Sequence, residues 1–298
     1  MTNTIYLAGG CFWGVEHFFK GVDGVSEATP GYANGQKENP SYEEVYTDTT
    51  GFVETVRVRY NPARIGLPEL LKLFFAIIDP LSKNRQGHDS GTRYRSGVYY
   101  ADEADRPAIE AEFARQTALL GREPVTELEP LRNFYPAEEY HQDYLDKNPG
   151  GYCHLPLKVF RYGRLLQDLK LYLGDEPDPV ARMANTAALL AERMHYFWVG
   201  FYRVIGDELV LGPFQGPAAC FRIGYGKGVC GAAWQRGETL VVPDVEAFPG
   251  HIACSALSRS EIVVPIGRPV TAVLDIDSTE LAAFDRYDAA FLELIADL

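Results

Sequence analysis

The sequence predicts two α+β domains in tandem, on three observations. The chain of 298 residues is long enough for two hydrophobic cores. Strand-like and helical patterns interleave along its length, with no internal repeat and no low-complexity segment. Dense turn chemistry at Gly174-Asp-Glu-Pro-Asp-Pro179 stands directly before a fresh helical pattern. The second, sheet-centred domain is expected to begin near residue 161, so the division is 1–160 and 161–298.

In the first part, Thr4 to Leu7 reads as a strand, and Val15, Phe18, Phe19 and Val22 recur at helical spacing. Val53 to Tyr60 alternates as a half-buried strand does, Val98 to Tyr100 is a short strand, and Leu67 to Ile78 and Pro107 to Leu120 read as helices. Leu165 to Leu173 is a further helix. Beyond the turn cluster, Asp178 can cap a helix with Pro179 in its first turn, and Val180, Met183, Ala184, Ala187, Leu190, Ala191 and Met194 form an apolar stripe, read as a core face. Strand-like runs follow at Trp198 to Val204, Leu209 to Leu211, Thr239 to Val242, Ile262 to Ile266 and Val270 to Ile276, and a helix from Tyr287 closes the chain.

Composition narrows the function classes. Apolar residues make up 46% of the chain, as in ordinary globular proteins, and the formal charge is −13, with 41 acidic against 28 basic side chains. Binding to phosphate backbones or anionic lipid relies on clustered Lys and Arg, so neither nucleic acid nor membrane is expected as a partner. Met-Thr-Asn-Thr-Ile has no signal-peptide character and no apolar run is long enough to span a bilayer, which makes the cytoplasm the expected compartment. Five widely spread cysteines, Cys11, Cys153, Cys220, Cys230 and Cys254, then read as reactive thiols rather than a structural disulfide framework. Cys220, Cys230, His251 and Cys254 are conceivable zinc ligands. Only the His251 to Cys254 step has the short spacing of a knuckle and there is no Cys-x-x-Cys pair, so no metal is expected.

The most specific local run is Gly10-Cys-Phe-Trp-Gly14. Cys11 is expected at a helix N-terminus, where free backbone N–H groups and the helix dipole acidify a thiol, with Phe12 and Trp13 as an apolar wall beside it. Such a site suits attack on a small apolar electrophile; a buried structural cysteine is the plain alternative. On the strand Val53 to Tyr60, Glu54 shares a face with Val56, Val58 and Tyr60, opposite Thr55, Arg57 and Arg59. An inward-facing glutamate has a raised pKa and could donate a proton at neutral pH, although it could equally be a hydrogen-bonded core residue.

Gly10-Cys-Phe-Trp-Gly14, Gly31-Tyr-Ala-Asn-Gly35, Tyr42-Glu-Glu-Val45, Thr50-Gly-Phe-Val-Glu54, Gln86-Gly-His-Asp89, Tyr94-Arg-Ser96, Tyr135-Pro-Ala-Glu-Glu-Tyr-His-Gln142 and Gly151-Tyr-Cys153 together resemble the peptide methionine (S)-sulfoxide reductases over residues 5 to 155. The resemblance implies an α/β-roll domain in which Cys11 attacks the sulfoxide sulfur and becomes a sulfenic acid while Glu54 protonates the oxygen. It further implies that Tyr32, Tyr94, Tyr144 and, through a water, Asp89 hold that oxygen. Phe12 and Trp13 would receive the methyl group. Cys153 would form the disulfide that thioredoxin reduces, ultimately at the expense of NADPH, with no bound cofactor. Asn34, Phe52 and His88 depart from the family's usual residues without touching this chemistry, and the chain runs into a second domain where the family often has a further recycling cysteine.

In the second part, Asp275 and Asp277 share one face of a strand, opposite Leu274 and Ile276, an arrangement that suits an ammonium group or a solvated strand face. Asn185-Thr-Ala-Ala-Leu-Leu190, Trp198-Val-Gly-Phe-Tyr202, Gly212-Pro-Phe-Gln-Gly216, Ala219-Cys-Phe-Arg-Ile223, Gly228-Val-Cys-Gly231, Gly250-His-Ile-Ala-Cys254, Ser260-Glu-Ile-Val-Val-Pro265 and Val273-Leu-Asp-Ile-Asp-Ser278 resemble the free methionine (R)-sulfoxide reductases, enzymes of GAF fold, over roughly residues 161 to 298. The resemblance implies that Cys254 is the nucleophile, Cys220 its resolving thiol and Cys230 an auxiliary one. Glu261, Asp275 and Asp277 would bind substrate and assist proton transfer, with Trp198 and Tyr202 around the methyl sulfoxide. Ser255 and Ala272 replace the family's usual Asp and Gly, and the hairpin at Gly267-Arg-Pro269 is short. Homodimerisation through this domain is a family expectation.

The expected activity is therefore a bifunctional repair reductase acting on oxidised proteins and on free methionine sulfoxide, with thioredoxin as partner. One alternative makes the second domain a ligand- or redox-sensing module, although a sensor needs no set of three cysteines. A thiol peroxidase is another, but it needs no aromatic methyl pocket.

Overall fold

In a computed structural model, residues 2–252 and 254–298 are described. The chain divides into two compact units, residues 1–163 and 164–298, each a mixed α+β body.

The first unit runs β1 (Asn3–Gly9), α1 (Phe12–Lys20), β2 (Val25–Ala33), α2 (Tyr42–Tyr46), β3 (Val53–Tyr60), α3 (Leu67–Ile77), the small hairpin β4 (Arg85–Gln86) and β5 (Asp89–Ser90), β6 (Ser96–Tyr100), α4 (Arg106–Leu120), β7 (Glu127–Pro130), β8 (Phe134–Pro136) and α5 (Tyr144–Lys147). Its sheet has the order β7-β6-β1-β3-β2-β8. All pairs are antiparallel except β6 with β7. β3 therefore sits inside the sheet, and the side chains it sends to the α1 face are enclosed. Glu54, Val56, Val58 and Tyr60 are buried as the alternation requires; on the other face Arg59 is exposed and Arg57 half-buried, whereas Thr55 is fully buried, so that face is covered at the start of the strand.

Several elements were not evident from sequence patterning, among them β2, α2, the β4–β5 hairpin, β7, β8 and α5. β2 carries Pro30 and Gly31, residues that break strands in most contexts, yet it pairs with β3 from Val25 to Ala33. The helix before the turn cluster starts at Leu157 rather than Leu165: α6 (Leu157–Leu173) crosses the division between the units.

The second unit continues with α7 (Pro179–Met194), β9 (Trp198–Ile205), β10 (Glu208–Gln215), β11 (Arg222–Gly224), α8 (Gly228–Arg236), β12 (Leu240–Val242), β13 (Ser260–Ile266), β14 (Ala272–Ser278) and α9 (Arg286–Ala296). Its antiparallel sheet has the order β11-β10-β9-β14-β13-β12, a curled GAF-type sheet flanked by helices. Asp178 caps α7 as expected, accepting from the N–H groups of Val180 and Ala181. The apolar stripe is shorter than its pattern: α7 buries Thr186, Ala187, Leu189 and Leu190, whereas Val180 and Ala184 are exposed. A helix packed over only part of its length buries only that part of its apolar face.

The turn from β1 into α1 holds Cys11 in place through glycine geometry. Gly10 has φ +84°, and a β-carbon there would stand 2.5 Å from Gln86 Cβ. Gln86 cannot move aside readily, because its amide accepts from the Asp79 N–H at 2.7 Å and donates to the Asp79 carbonyl at 2.8 Å. Gly10→Ala is therefore expected to destabilise the first unit by about 2 kcal/mol. Urea denaturation, with amide exchange in β1 assigning the loss to this unit, measures it; a change under about 0.5 kcal/mol would mean that the turn relaxes.

Candidate active sites

Cys11 is the N-cap residue of α1, as its position after β1 requires, and is 5% exposed. The thiol is not acidified. Burial first, then the Glu54 carboxyl, push it well above its ordinary value, outweighing the Trp13 N–H that favours the thiolate. The expectation of a low thiol pKa fails because a single turn of helix dipole is weaker than desolvation beside a carboxyl group.

Glu54 lies directly across from Tyr32 in the β2–β3 ladder and is 2% exposed. Its Oε2 accepts from the Phe12 N–H at 3.1 Å, which ties the first turn of α1 to β3. Burial raises the Glu54 carboxyl to about 8, against the opposing effects of that N–H and of Arg93. Glu54 is consequently an acid, not a carboxylate, at neutral pH.

An aromatic wall closes one side. Trp13 stacks on Tyr144 with centroids 3.7 Å apart, and Trp13 Nε1 donates to His141 Nδ1 at 3.2 Å. Phe12 meets His141 and Tyr32, at 5.2 and 5.9 Å between centroids. Tyr144 is thus engaged through its ring. The Tyr32 hydroxyl donates to Glu138 Oε2 at 2.7 Å, and the other oxygen of Glu138 accepts from the Tyr42 N–H at 2.8 Å. Tyr94, at the end of a short 3-10 turn, is buried, and the Arg93 guanidinium lies 4.4 Å over its ring. Arg93 is itself held by Asp48 at 2.6 Å. Asp89 accepts from the Tyr152 hydroxyl through Oδ1 at 2.9 Å, leaving Oδ2 buried without a hydrogen bond among the described residues.

Cys153 approaches from the segment after α5. A β-carbon at Gly14 would stand 3.0 Å from Cys153 Sγ and 3.2 Å from His154 Cε1, so glycine at that position is what lets the two cysteine-bearing segments meet. Both thiols are free. Glu138, His141, Arg93 and His154 are parts of this site that were not singled out individually from the sequence. Glu138 and His141 lie inside one quoted motif, His154 directly follows another and Arg93 directly precedes Tyr94-Arg-Ser96, so each stood within or beside a local signal.

Two of the second unit's cysteines, Cys230 and Cys254, line a pocket together with Trp198, Tyr202, Ile223, Ser258, Glu261, Asp275 and Asp277, among others. Cys220 and Cys254 form a disulfide with Cα atoms 5.4 Å apart. Cys230 is a free, buried thiol that donates to Glu261 Oε1 at 3.8 Å. The bridge occupies two of the four residues considered as zinc ligands and leaves Cys230 turned towards the carboxyl groups.

Cross-strand pairing explains the carboxyl cluster. Glu261 on β13 is registered with Asp277 on β14, and Asp275 lies two residues away on the same face. Asp275 and Glu261 are each 6% exposed, which rules out a solvated strand face. Burial, then the neighbouring carboxylates, push Glu261 and Asp275 well up, and burial raises Asp277 to about 6 against the Ser258 hydroxyl that favours its anion. None of the described residues lining the pocket is Lys or Arg. The three acids therefore have no Lys or Arg side chain among the described lining residues to balance them if they ionise. Trp198 and Tyr202 are near-parallel at 6.1 Å, with Trp198 Nε1 donating to the Pro217 carbonyl and the Tyr202 hydroxyl to the Cys220 carbonyl, both at 3.0 Å. Tyr202 thereby anchors the backbone of one bridge cysteine as well as walling the pocket.

Thiols, buried acids and aromatic walls define thiol-dependent oxidoreductase sites. Residues 3–168 match the family described as peptide methionine sulfoxide reductase, and residues 178–298 match the GAF domain family. The chain is similar to peptide methionine sulfoxide reductase MsrA of Clostridium acetobutylicum, 49% identical over 157 residues, which are 53% of this chain and 97% of that protein. Against the enzyme of the same description from Alkaliphilus metalliredigens it is 52% identical over 155 residues, 52% of this chain and 98% of that protein. Among solved structures it resembles Mxr1 of Saccharomyces cerevisiae in reduced form, with 43% identity and a TM-score of 0.50 over 52% of this chain and 92% of that one. It also aligns with free methionine-R-sulfoxide reductase from Neisseria meningitidis in complex with its substrate, at 55% identity and a TM-score of 0.45 over 45% and 83% of the two chains. The chain belongs to the peptide methionine sulfoxide reductase family and carries a GAF domain after the reductase domain. It is an oxidoreductase. Among the described residues, no helix is long and apolar enough to cross a membrane.

Because Glu54 holds its proton to about pH 8, reduction by the first site is expected to decline as pH rises through that value. Glu54→Gln, which keeps the acceptor for the Phe12 N–H, should lower kcat by roughly 100-fold to 10,000-fold and remove the decline. The same proton is linked to stability. An exposed glutamate releases it near pH 4.3, so this contribution is full below about pH 4 and is lost as pH rises towards 8. Denaturation of wild type and Glu54→Gln at pH 5 and 8 reads the linkage; equal pH dependence in the two would show that Glu54 is ionised in the folded protein.

Proposed function

We propose that the protein is a bifunctional methionine sulfoxide reductase, its first domain reducing the S epimer, mainly in oxidised proteins, and its GAF domain the R epimer of free methionine sulfoxide. The observation that carries this reading is that each unit sets a cysteine pair beside buried carboxyl groups and an aromatic wall.

In the first domain the substrate methyl group rests against Phe12 and Trp13, and Glu54 gives its proton to the sulfoxide oxygen. That proton makes the sulfur electrophilic, and Cys11 attacks while its own proton replaces the one lost from Glu54. Oxygen ends on Cys11 as a sulfenic acid and methionine leaves. Tyr94 and Asp89 line the path of that oxygen, whereas Tyr32 acts through its bond to Glu138, and Tyr144 supports Trp13. The Cys153 thiol then displaces water from the sulfenic acid, forming a disulfide for a dithiol reductant such as thioredoxin.

In the second domain Glu261, Asp275 and Asp277 receive the ammonium group and supply the proton, Trp198 and Tyr202 enclose the methyl sulfoxide, and Cys254 attacks. Cys220 resolves the sulfenic acid, which accords with the bond between these two cysteines. Cys230, held against Glu261, is the auxiliary thiol. A pocket that accepts a free ammonium group has no room for a preceding peptide, which explains a preference for the free amino acid.

Chirally resolved consumption of free L-methionine sulfoxide with thioredoxin tests both halves. Cys254→Ser should lose only the R epimer and Cys11→Ser only the S epimer. If wild type leaves the R epimer untouched, the GAF domain is no reductase and its three acids serve to bind a cationic ligand.

A further inference from the structure

Around the Cys11 thiol the first site gathers a ligand set of which the proposed sulfoxide chemistry uses Cys11 and Asp89 but not His154. Cys11 Sγ, one carboxylate oxygen of Asp89 and one imidazole nitrogen of His154 all lie within 4.8 Å of one another. A circle enclosing three points no farther apart than 4.8 Å has a radius of at most about 2.8 Å, and zinc bonds to sulfur, nitrogen and oxygen run from about 2.0 to 2.3 Å. A shift of a few tenths of an ångström per side chain closes the difference.

Two independent features favour a cation there. Asp89 offers a buried oxygen, Oδ2, that has no hydrogen bond among the described residues, while its Oδ1 is oriented by the Tyr152 hydroxyl at 2.9 Å. Such outer contacts are what fix a ligating carboxylate. The imidazole, in turn, lies over the backbone that carries the nucleophile: β-carbons at Gly10 and Gly14 would stand 3.3 Å from His154 Nε2 and 3.3 Å from His154 Nδ1 respectively. Glycine on both sides of Cys11 keeps that ring at the thiol. Thiolate, imidazole and carboxylate in one place are the donor types of borderline-soft divalent ions.

We propose that the reduced first site binds one divalent zinc ion through Cys11, Asp89 and His154, with Cys153 Sγ or water as the fourth ligand, and that the bound ion reversibly shuts off the nucleophile. Binding releases the Cys11 proton to solvent and forms a sulfur–zinc bond without oxidation. The Cys11 lone pair that would attack a sulfoxide is then occupied, and the thiol is shielded from alkylation. Oxidation of Cys11 removes the ligand, so the ion is held in the reduced state only. The binding claim is independent of the proposed reaction; the shut-off rests on Cys11 being its nucleophile.

The test uses full-length protein carrying Cys220→Ser, Cys230→Ser and Cys254→Ser, which also removes the separate cluster of Cys230, Glu261 and Asp275. Zinc affinity of the reduced protein is measured by competition with a chromogenic chelator, without turnover. One ion per chain is expected, with affinity falling at least about tenfold in Cys11→Ser and in His154→Gln, and by a smaller factor in Asp89→Asn. Protein alkylated at Cys11 serves as a second probe should the serine variant fold poorly. Affinity within about twofold of the parent in His154→Gln, or dependence on Cys153 but not on His154, would overturn the site. Sulfoxide reduction by the parent should stop with one equivalent of zinc and return with chelator. Full turnover with zinc bound would overturn the shut-off, whereas absent turnover together with the expected binding pattern would count against the reductase reading alone.

Discussion

A single hydrogen bond, from the Phe12 N–H to the carboxyl of Glu54, organises the first domain. It joins the start of α1 to a strand inside the sheet, so Cys11, Phe12 and Trp13 are aligned with the buried carboxyl by the same contact that holds the helix down. A carboxyl group in that position, 2% exposed and paired across the ladder with Tyr32, stays protonated for want of solvation. The same desolvation keeps the Cys11 thiol protonated. A site of neutral acid and neutral thiol avoids burying two like charges.

The second domain meets the same electrostatic constraint with three acids in place of one. Antiparallel pairing of β13 with β14 sets Glu261 against Asp277 and brings Asp275 onto the same face. Three carboxylates at this separation cannot all be ionised in a buried pocket without a counter-charge, so the empty pocket retains protons. A positive group brought into such a pocket would let the acids ionise and release protons there.

Redox chemistry adds a demand for mobility that burial opposes. Cys254 and Cys220 are bridged whereas Cys11 and Cys153 are free thiols, so the two cysteine pairs differ in oxidation state. In the first domain, Gly14 leaves the space through which Cys153 reaches the nucleophile's helix. In the second, the Tyr202 hydroxyl holds the Cys220 carbonyl, tying one bridge partner to the central sheet. Small residues and backbone anchors, rather than the cysteines' own sequence spacing, decide which thiols can meet.

Much of this was legible in the chain itself. The period-2 pattern from Val53 to Tyr60 determined that Glu54 points inward, and the Gly-Cys-Phe-Trp-Gly run after a strand put Cys11 at a helix start, because these are consequences of local backbone geometry. The alternation through Asp275 and Asp277 likewise assigned both to one face. Strand β2 was concealed by Pro30 and Gly31, whose local preferences are overridden by pairing along β3. The direction of the Cys11 pKa shift, the engagement of Tyr32 with Glu138, the stacking of Tyr144 on Trp13 and the convergence of Asp89 and His154 on the thiol all depend on segments far apart in the chain. Desolvation and distant contacts have no local signature, so the sequence determined which groups are candidates for the chemistry, and tertiary structure decided their protonation and partners.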